Sequence, residues 1–330
     1  MKSSGSCIKN FELWCCPLDT VTRSSPDRRP PKLHQTRVKE AFRGGRTNAF
    51  KLQYEVKADK NIRHIDVTSD YLTVNKHDAY PIGHPEVILS DLKDIKEYFG
   101  VVKCTVKASP NEMFPILPGS YNGKLVFALC RKCAVQKAQA YCEHDGSERY
   151  LKGTWCTPEL HDAVEHGFEV VQIHEVWHWE RRREKFFAEY IDKFLTIKMQ
   201  ASGWPGWCKT EEDKDRYILE VSLKEGIELK KEQFEENPGL KSVAKLMLNS
   251  FWGKFGMRDN LTQTHFMHKP KEFYRLLRSK ARQVHDIHTV NEECVMITSS
   301  AEEDYNEGST TSNVAIAALT TSYARLRLQT

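Results

Sequence analysis

The 330-residue chain has no apolar run that approaches the length of a membrane span, so neither a spanning helix nor a membrane partner is expected. Its N-terminus has no apolar h-region, which argues against a secretory signal and for an intracellular protein. It also lacks a strong charge of one sign. Lys and Arg number 49 against 45 Asp and Glu, and a net charge of +4 permits a nucleic-acid partner without forming a phosphate-tracking surface. No regular cysteine framework is present. The ten cysteines, at 7, 15, 16, 104, 130, 133, 142, 156, 208 and 294, are irregularly spaced, and reduced thiols are expected rather than disulfides. What is there is ordinary for a folded protein, at 28% charged and 40% hydrophobic residues, in a chain long enough for one large core or a few smaller ones.

One stretch organises the rest. Asn237 is a good N-cap and Pro238 sits where a missing N–H costs nothing, so a helix is expected to run to Gly256. At about 100° per residue, Val243, Ala244, Leu246, Met247, Leu248, Phe251 and Phe255 cover one broad side, expected to face a core and broken only by Ser250 and Lys254. Lys241, Lys245, Asn249, Trp252, Gly253 and Gly256 share the other side. The plainer reading is a solvated lysine face. The sharper one is a wall for a phosphate-bearing planar ligand, with ammonium groups for phosphate and a ring for a base.

Residues 1–38 are broken by Ser, Gly and Pro and are expected to be disordered. Arg43-Gly44-Gly45-Arg46 is either a plain turn or a place where backbone N–H groups and guanidinium forks meet a phosphate. Ala49 to Val56 reads as a strand, and Arg63 to Tyr71 as another with Asp66 near its end. A carboxylate so placed can hold a divalent cation, although most such acids are solvated turn residues. Cys130-x-x-Cys133 and Cys142-x-His144 supply four zinc-competent ligands, set against a plain reading as unliganded thiols. Thr157 is expected to cap a short helix ending at Gly167.

His174-Glu175-Val176-Trp177-His178 spells H-E-x-x-H, the zinc-protease motif, which requires a helix. β-Branched residues crowd the segment, and on a strand four residues span roughly 13 Å, too far for two imidazoles to share one ion. A strand is therefore expected. An amphipathic helix should follow from Arg183 to about Ser202, stopped by Gly203-Trp204-Pro205-Gly206-Trp207. Residues 211–236 read as helical and solvated. A basic helix is expected over 269–282, either a DNA-backbone patch or simply solvated. Ser299 to Thr311 reads as a polar loop and Asn313 to Leu328 as a helix.

Several of these strings point one way. Lys245-x-x-x-Asn249-Ser250-x-Trp252-Gly253 resembles the fingers-helix signature of family B DNA polymerases, with Trp in the usual Tyr position. Lys245 to Gly256 as a whole resembles the organellar and viral, protein-primed branch, including the polymerases of Maverick/Polinton-type mobile elements. Asp66-Val67-Thr68-Ser69-Asp70-Tyr71 resembles that family's first catalytic motif, departing from it at Asp70 and Leu72. Phe42-Arg43-Gly44-Gly45 resembles its Tyr-x-Gly-Gly loop, Lys198 a lysine of its first fingers helix, and Asn313 to Leu328 the palm helix before its third motif. The resemblance covers about 38–328.

It implies an α+β fold of polymerase palm and fingers with palm insertions, incomplete at both ends. The implied plan is a palm start over 39–95, an insertion over 96–180 carrying the cysteine cluster, fingers helices over 181–256, a second insertion over 257–310, and a truncated palm helix over 311–330. The implied activity is template-directed transfer of deoxynucleotides to a primer 3′-end with Mg²⁺. Asp66 would bind metal. Tyr71, Lys198, Lys245, Asn249 and Gly253 would bind the incoming nucleotide, and Arg43 to Arg46 the DNA. The implied partners are primer-template DNA, deoxynucleoside triphosphates and, as a family option, a protein primer, in a nuclear rather than organellar setting. No Asp-x-Asp follows the fingers helix to supply the second carboxylate of a two-metal clamp. The chain alone is therefore expected to be inactive, with a non-catalytic relic that binds DNA or nucleotide as the alternative.

Overall fold

A computed structural model of the chain describes residues 38–47, 54–56, 69–109, 112, 114–138, 140–257, 260–302 and 312–328. The expectations for 1–37, 49–53 and 63–68, Asp66 among them, lie outside these residues. Residues 54–56 are not in a strand. The chain forms two compact units, one from 27–256 with 313–330 and a smaller one that includes 257–312. Among the described residues no helix is long and apolar enough to cross a membrane.

The larger unit is built from α1 (Asp70–His77), β1 (Tyr80–Pro81), β2 (Glu86–Ile88), β3 (Gly100–Lys107), β4 (Pro118–Tyr121), β5 (Lys124–Phe127), α2 (Arg131–Gln136), β6 (Leu151–Cys156), α3 (Thr157–Glu165), β7 (Glu169–His178), β8 (Arg182–Arg183), α4 (Ala188–Gln200), α5 (Glu211–Glu225) and α6 (Pro238–Phe255). The smaller unit holds β9 (Gln263–Met267), α7 (Pro270–Leu277), β10 (Arg282–Asn291) and β11 (Cys294–Ala301), after which α8 (Val314–Arg327) returns to the larger one. The fold is thus α+β.

At the centre of the larger unit lies an antiparallel sheet in the order β2-β7-β3-β6. Val102, Cys104 and Val106 of β3 alternate inward onto Leu151, Trp155, Leu160, Ala163, Phe168 and Val176, as a strand with one apolar face requires. The H-E-x-x-H segment is strand β7, and the protease reading falls with it. Instead of ligating a metal, His174 shares a 2.8 Å hydrogen bond with the Thr105 hydroxyl. His178 Nδ1 accepts from the Phe99 N–H at 3.0 Å.

Helices α4 and α6 meet through aromatic rings. Tyr190 of α4 stacks on Phe251 of α6, with centroids 4.4 Å apart, and its hydroxyl donates to the Met247 carbonyl at 3.1 Å. Phe187 packs edge-on to Phe251 at 4.8 Å. Gly203, at φ +71°, ends the α4 segment as expected. The turn into α5 is closed by a reciprocal Thr210–Asp213 capping box. Lys76, near the end of α1 and 7% exposed, pairs with Asp192 of α4 and donates to the Glu225 carbonyl at the end of α5.

α8 is the buried axis of this unit, with Ala315 to Ser322 all buried. Its cap is Asn313, whose side chain accepts from the Ile316 N–H, while the Asn313 N–H donates to the Phe255 carbonyl at 2.9 Å. Near its end, Arg325 Nε donates to Glu159 of α3 at 2.7 Å, both side chains being 1% exposed. In the smaller unit, β11 is flanked by β10 and β9 in an antiparallel sheet.

Several expectations need correcting. Asp70 and Tyr71 do not continue a strand. Ser69 takes φ 61°, and that left-handed turn starts helix α1. The helix after Arg183 begins only at Ala188, because Arg182–Arg183 pairs with Tyr80–Pro81 as a short ladder. Thr157 is the first residue of α3 and not its cap, since its hydroxyl accepts from the Gly100 N–H at 2.9 Å. The 269–282 helix ends at Leu277, and Arg282 starts β10. Ser299 and Ser300 are buried within β11 rather than lying in a loop. Over 211–236, the helix stops at Glu225, where Gly226 takes φ +66°.

The apolar side of α6 is also narrower than periodicity predicts. Only Ala244, Leu248 and Phe251 are buried, while Val243 is 55% and Leu246 64% exposed. Helix-on-helix seams follow steps of three and four residues, and one such seam does not reach the flanks of a seven-residue apolar arc. Urea denaturation should show Arg325→Met to be less stable by about 3–5 kcal/mol, because Glu159 is left buried without its counter-charge. Glu159→Gln in the same chain should recover part of that loss.

Candidate functional site

An open cavity of about 560 Å³ lies in the larger unit, lined by residues from the 45–47 loop, α1, α6 and α8. Tyr71, in the first turn of α1, stacks on Trp252 of α6 with centroids 4.4 Å apart and planes at 24°. Asn249 stands one turn before Trp252, so amide and indole share a helix face toward the cavity. Gly45 also lines the cavity and lies against Tyr71: a Cβ there would sit 2.6 Å from the Tyr71 hydroxyl and would push the phenol aside.

Arg325 holds this loop from beneath. Its Nη1 donates to the carbonyls of Arg43 and Gly44 at 2.9 and 2.8 Å, while Glu159 takes Nε. Burial works against the Arg325 charge, but Glu159 more than offsets it, and the guanidinium pKa is raised. Arg43 turns away from the cavity, donating to the Thr154 carbonyl at 2.7 Å. Arg46 lines the cavity with its guanidinium 4.5 Å above the Phe127 ring, and burial lowers its pKa. Burial also pushes the carboxyl of Asp70 upward, against the opposing pull of Arg327. Burial likewise raises the Tyr71 phenol.

Four of the residues singled out in the sequence, Gly45, Arg46, Tyr71 and Asn249, therefore line one cavity, with Arg43 and Gly44 bonded just behind it. Lys198, Lys245 and Gly253 do not line it, and Lys245 is exposed. Sequence reasoning missed Arg325. The signal was present, a cation set within the Ala-, Leu- and Thr-rich stretch of α8, but its meaning depends on Glu159, far away in sequence. Among the described residues the cavity presents one carboxylate, Asp70, so they do not compose a two-metal clamp. The Arg46 guanidinium, an amide, a phenol and an indole suit an anionic ligand with a flat ring, while Arg325 is spent on Glu159 and the loop carbonyls.

A second constellation lies on the cysteine segment. The ligand atoms of Cys130, Cys133, Cys142 and His144 all lie within 4.8 Å of one another. His144 Nδ1 is 3.7, 3.4 and 3.5 Å from the three sulfurs in that order. Tetrahedral zinc at ordinary bond lengths sets ligands about 3.3–3.8 Å apart. Burial opposes ionisation of Cys142, but hydrogen bonds from His144 and the two other thiols bring it down to about 7. Arg149, buried, donates to the His144 carbonyl at 3.0 Å.

The model of the family described as DNA polymerase type B, organellar and viral, matches residues 28–205 and 223–330. A protein of Ascobolus immersus described as a probable DNA polymerase is 27% identical over 257 residues, 76% of this chain and 16% of that protein. Phi29 DNA polymerase complexed with primer-template DNA aligns over 89% of this chain and 38% of its own, at 17% identity and a TM-score of 0.46. Its ternary complex with primer-template DNA and incoming nucleotides aligns over 90% and 40%, at 14% identity and a TM-score of 0.44. The chain thus spans well under half the length of each of these relatives. The family match runs through both units and most of the residues, and the chain belongs to the organellar and viral type B DNA polymerases.

Proposed function

We propose that this chain carries the nucleotide-gripping part of a template-directed DNA polymerase. The observation that carries the reading is the convergence of Tyr71, Asn249, Trp252, Arg46 and Arg325 on one cavity in a chain of this family. The incoming deoxynucleoside triphosphate would lay its sugar against the Tyr71–Trp252 pair, with Asn249 and Arg46 toward its phosphates. Lys198 and Lys245, on the two fingers helices beyond the cavity lining, would reach for the triphosphate. The Arg43–Arg46 loop would meet primer-template DNA, and a protein primer is a further proposed partner.

Family membership implies a divalent metal, generally Mg²⁺, which supplies charge neutralisation at the transferring phosphate. Asp66 is the proposed ligand. The chain's own residues bind and orient. The stacked rings set the sugar's position, and Arg325 fixes the loop that carries Arg46. The second proposed metal is zinc, held structurally by Cys130, Cys133, Cys142 and His144, whose three sulfurs and one nitrogen are a closed donor set.

One observation favours a non-catalytic relic. Asp70 puts a carboxylate on the cavity wall, where a triphosphate would be repelled.

Titration calorimetry with dATP should show Asn249→Ala and Tyr71→Ala weakened about tenfold, the worth of a hydrogen bond or a stacked ring. In a longer form of the protein, Asp66→Asn should abolish primer extension. Unchanged dATP affinity in both cavity variants would remove the basis of the reading. Asp70→Leu should tighten dATP binding severalfold, more at low salt than at high. A longer form of the protein that extends no primer, with or without Asp70→Leu, would establish the relic. Metal analysis should find one zinc per chain, lost in Cys133→Ser. Zinc retained in Cys130→Ser/Cys133→Ser would place it elsewhere.

A further inference from the structure

We infer that metal loading of the cysteine cluster controls phosphate binding in the cavity, through Phe127. The inference rests on the two readings above, that the cavity takes a nucleoside triphosphate and that the cluster takes zinc. Arg46 lines the cavity, and its guanidinium lies 4.5 Å above the Phe127 ring, so that ring is one of the groups that set its aim. Phe127 is the last residue of β5, whose only sheet partner among the described residues is β4. An isolated two-stranded hairpin is marginal on its own.

One end of that hairpin runs into the cluster, and the other is tied to the helix that carries Cys133. Three residues beyond Phe127 comes Cys130, which is 4% exposed and is both a cluster ligand and the N-cap of α2. At the other end, the hairpin turns at Asn122-Gly123, with φ 52° and 74°, and Asn122 Nδ2 donates to the Val135 carbonyl of α2 at 3.1 Å. The helix between these ties is six residues long, buries none of them and has no side-chain cap. Such a helix does not stand by itself. Apolar packing therefore does not fix α2, and thiol–imidazole contacts of 3.4–3.7 Å are weak. A metal replaces these contacts with bonds that clamp Cys130 and Cys133 to Cys142 and His144.

The main core anchors the rest of the hairpin. Trp155 Nε1 donates to the Pro118 carbonyl at 2.8 Å, and Leu129 packs against the core. Loss of metal thus loosens one strand end rather than the unit. The consequence is a linkage. Zinc favours the Phe127 position that supports Arg46, and a phosphate held by Arg46 favours the zinc-loaded form by the same factor. Phe127 is a positioning residue, acting through Arg46.

The test is titration calorimetry of dATP with the 330-residue chain, zinc-loaded and after chelation and dialysis, with zinc content measured on each sample. Removal of zinc should weaken dATP about fivefold or more, the lower end of ordinary coupling between sites. Phe127→Leu should keep its zinc, bind dATP about as weakly as the zinc-free chain, and lose its dependence on zinc. Hydrogen exchange should show 124–136 deprotected in the zinc-free chain while β3 and β7 stay protected, which separates local loosening from unfolding. Equal dATP affinity with and without zinc overturns the inference, and so does full zinc dependence in Phe127→Leu. A chain that holds no zinc refutes the cluster reading. A zinc-loaded chain that does not bind dATP refutes the cavity reading. Either takes the inference with it, and the two are told apart by the metal content.

Discussion

The buried pair between Arg325 and Glu159 holds together parts of the chain that nothing local would assemble. A guanidinium and a carboxylate, each 1% exposed, are costly to desolvate and persist only when paired and hydrogen-bonded. Here the guanidinium also donates to two carbonyls of the Arg43–Gly44 turn. A helix from the end of the chain, a helix behind the central sheet and a loop from the start are thereby fixed by one planar group. A lysine could not do the same, because it offers a point charge rather than a fork. The cavity's floor is built from this arrangement, so the cost of the buried charges is set against placement of the loop.

Much of the architecture was legible in local chemistry. Asn237-Pro238 and Asn313 mark helix starts that the structure reproduces, and Gly203 marks a stop. β7 was readable as a strand because its β-branched residues outweigh a motif that only a helix could use. Some of the errors share a cause. Arg182–Arg183 pairing with Tyr80–Pro81 and Thr157 turning toward Gly100 are each decided by a partner distant in sequence, while the left-handed Ser69 is a backbone conformation that its residue type does not announce. The breadth of the α6 apolar arc misled for a related reason. Periodicity reports which residues could be buried together, and the neighbouring helix decides how many are.

The candidate site was legible through family strings and not through periodicity, which favoured a solvated face. Tyr71 and Asn249 stand on helices far apart in sequence, and only the fold brings them to one cavity. Arg325 and Asp70 line it too, yet neither string nor period marks the first as functional. Its partner, Glu159, sits on an α3 helix that reads as ordinary packing. The cysteine cluster differs, because its spacing is local and its chemistry could be read directly.

The bond from the Asn313 N–H to the Phe255 carbonyl brings together the two ends between which the smaller unit is inserted. Whatever lies between those ends leaves and re-enters the larger unit at neighbouring points. For a flexible connection between such ends, the cost of closing the loop grows by only about 0.6 kcal/mol per doubling of length. The end of the helix that precedes the insertion and the start of the one that follows are thus held to each other by the larger unit itself.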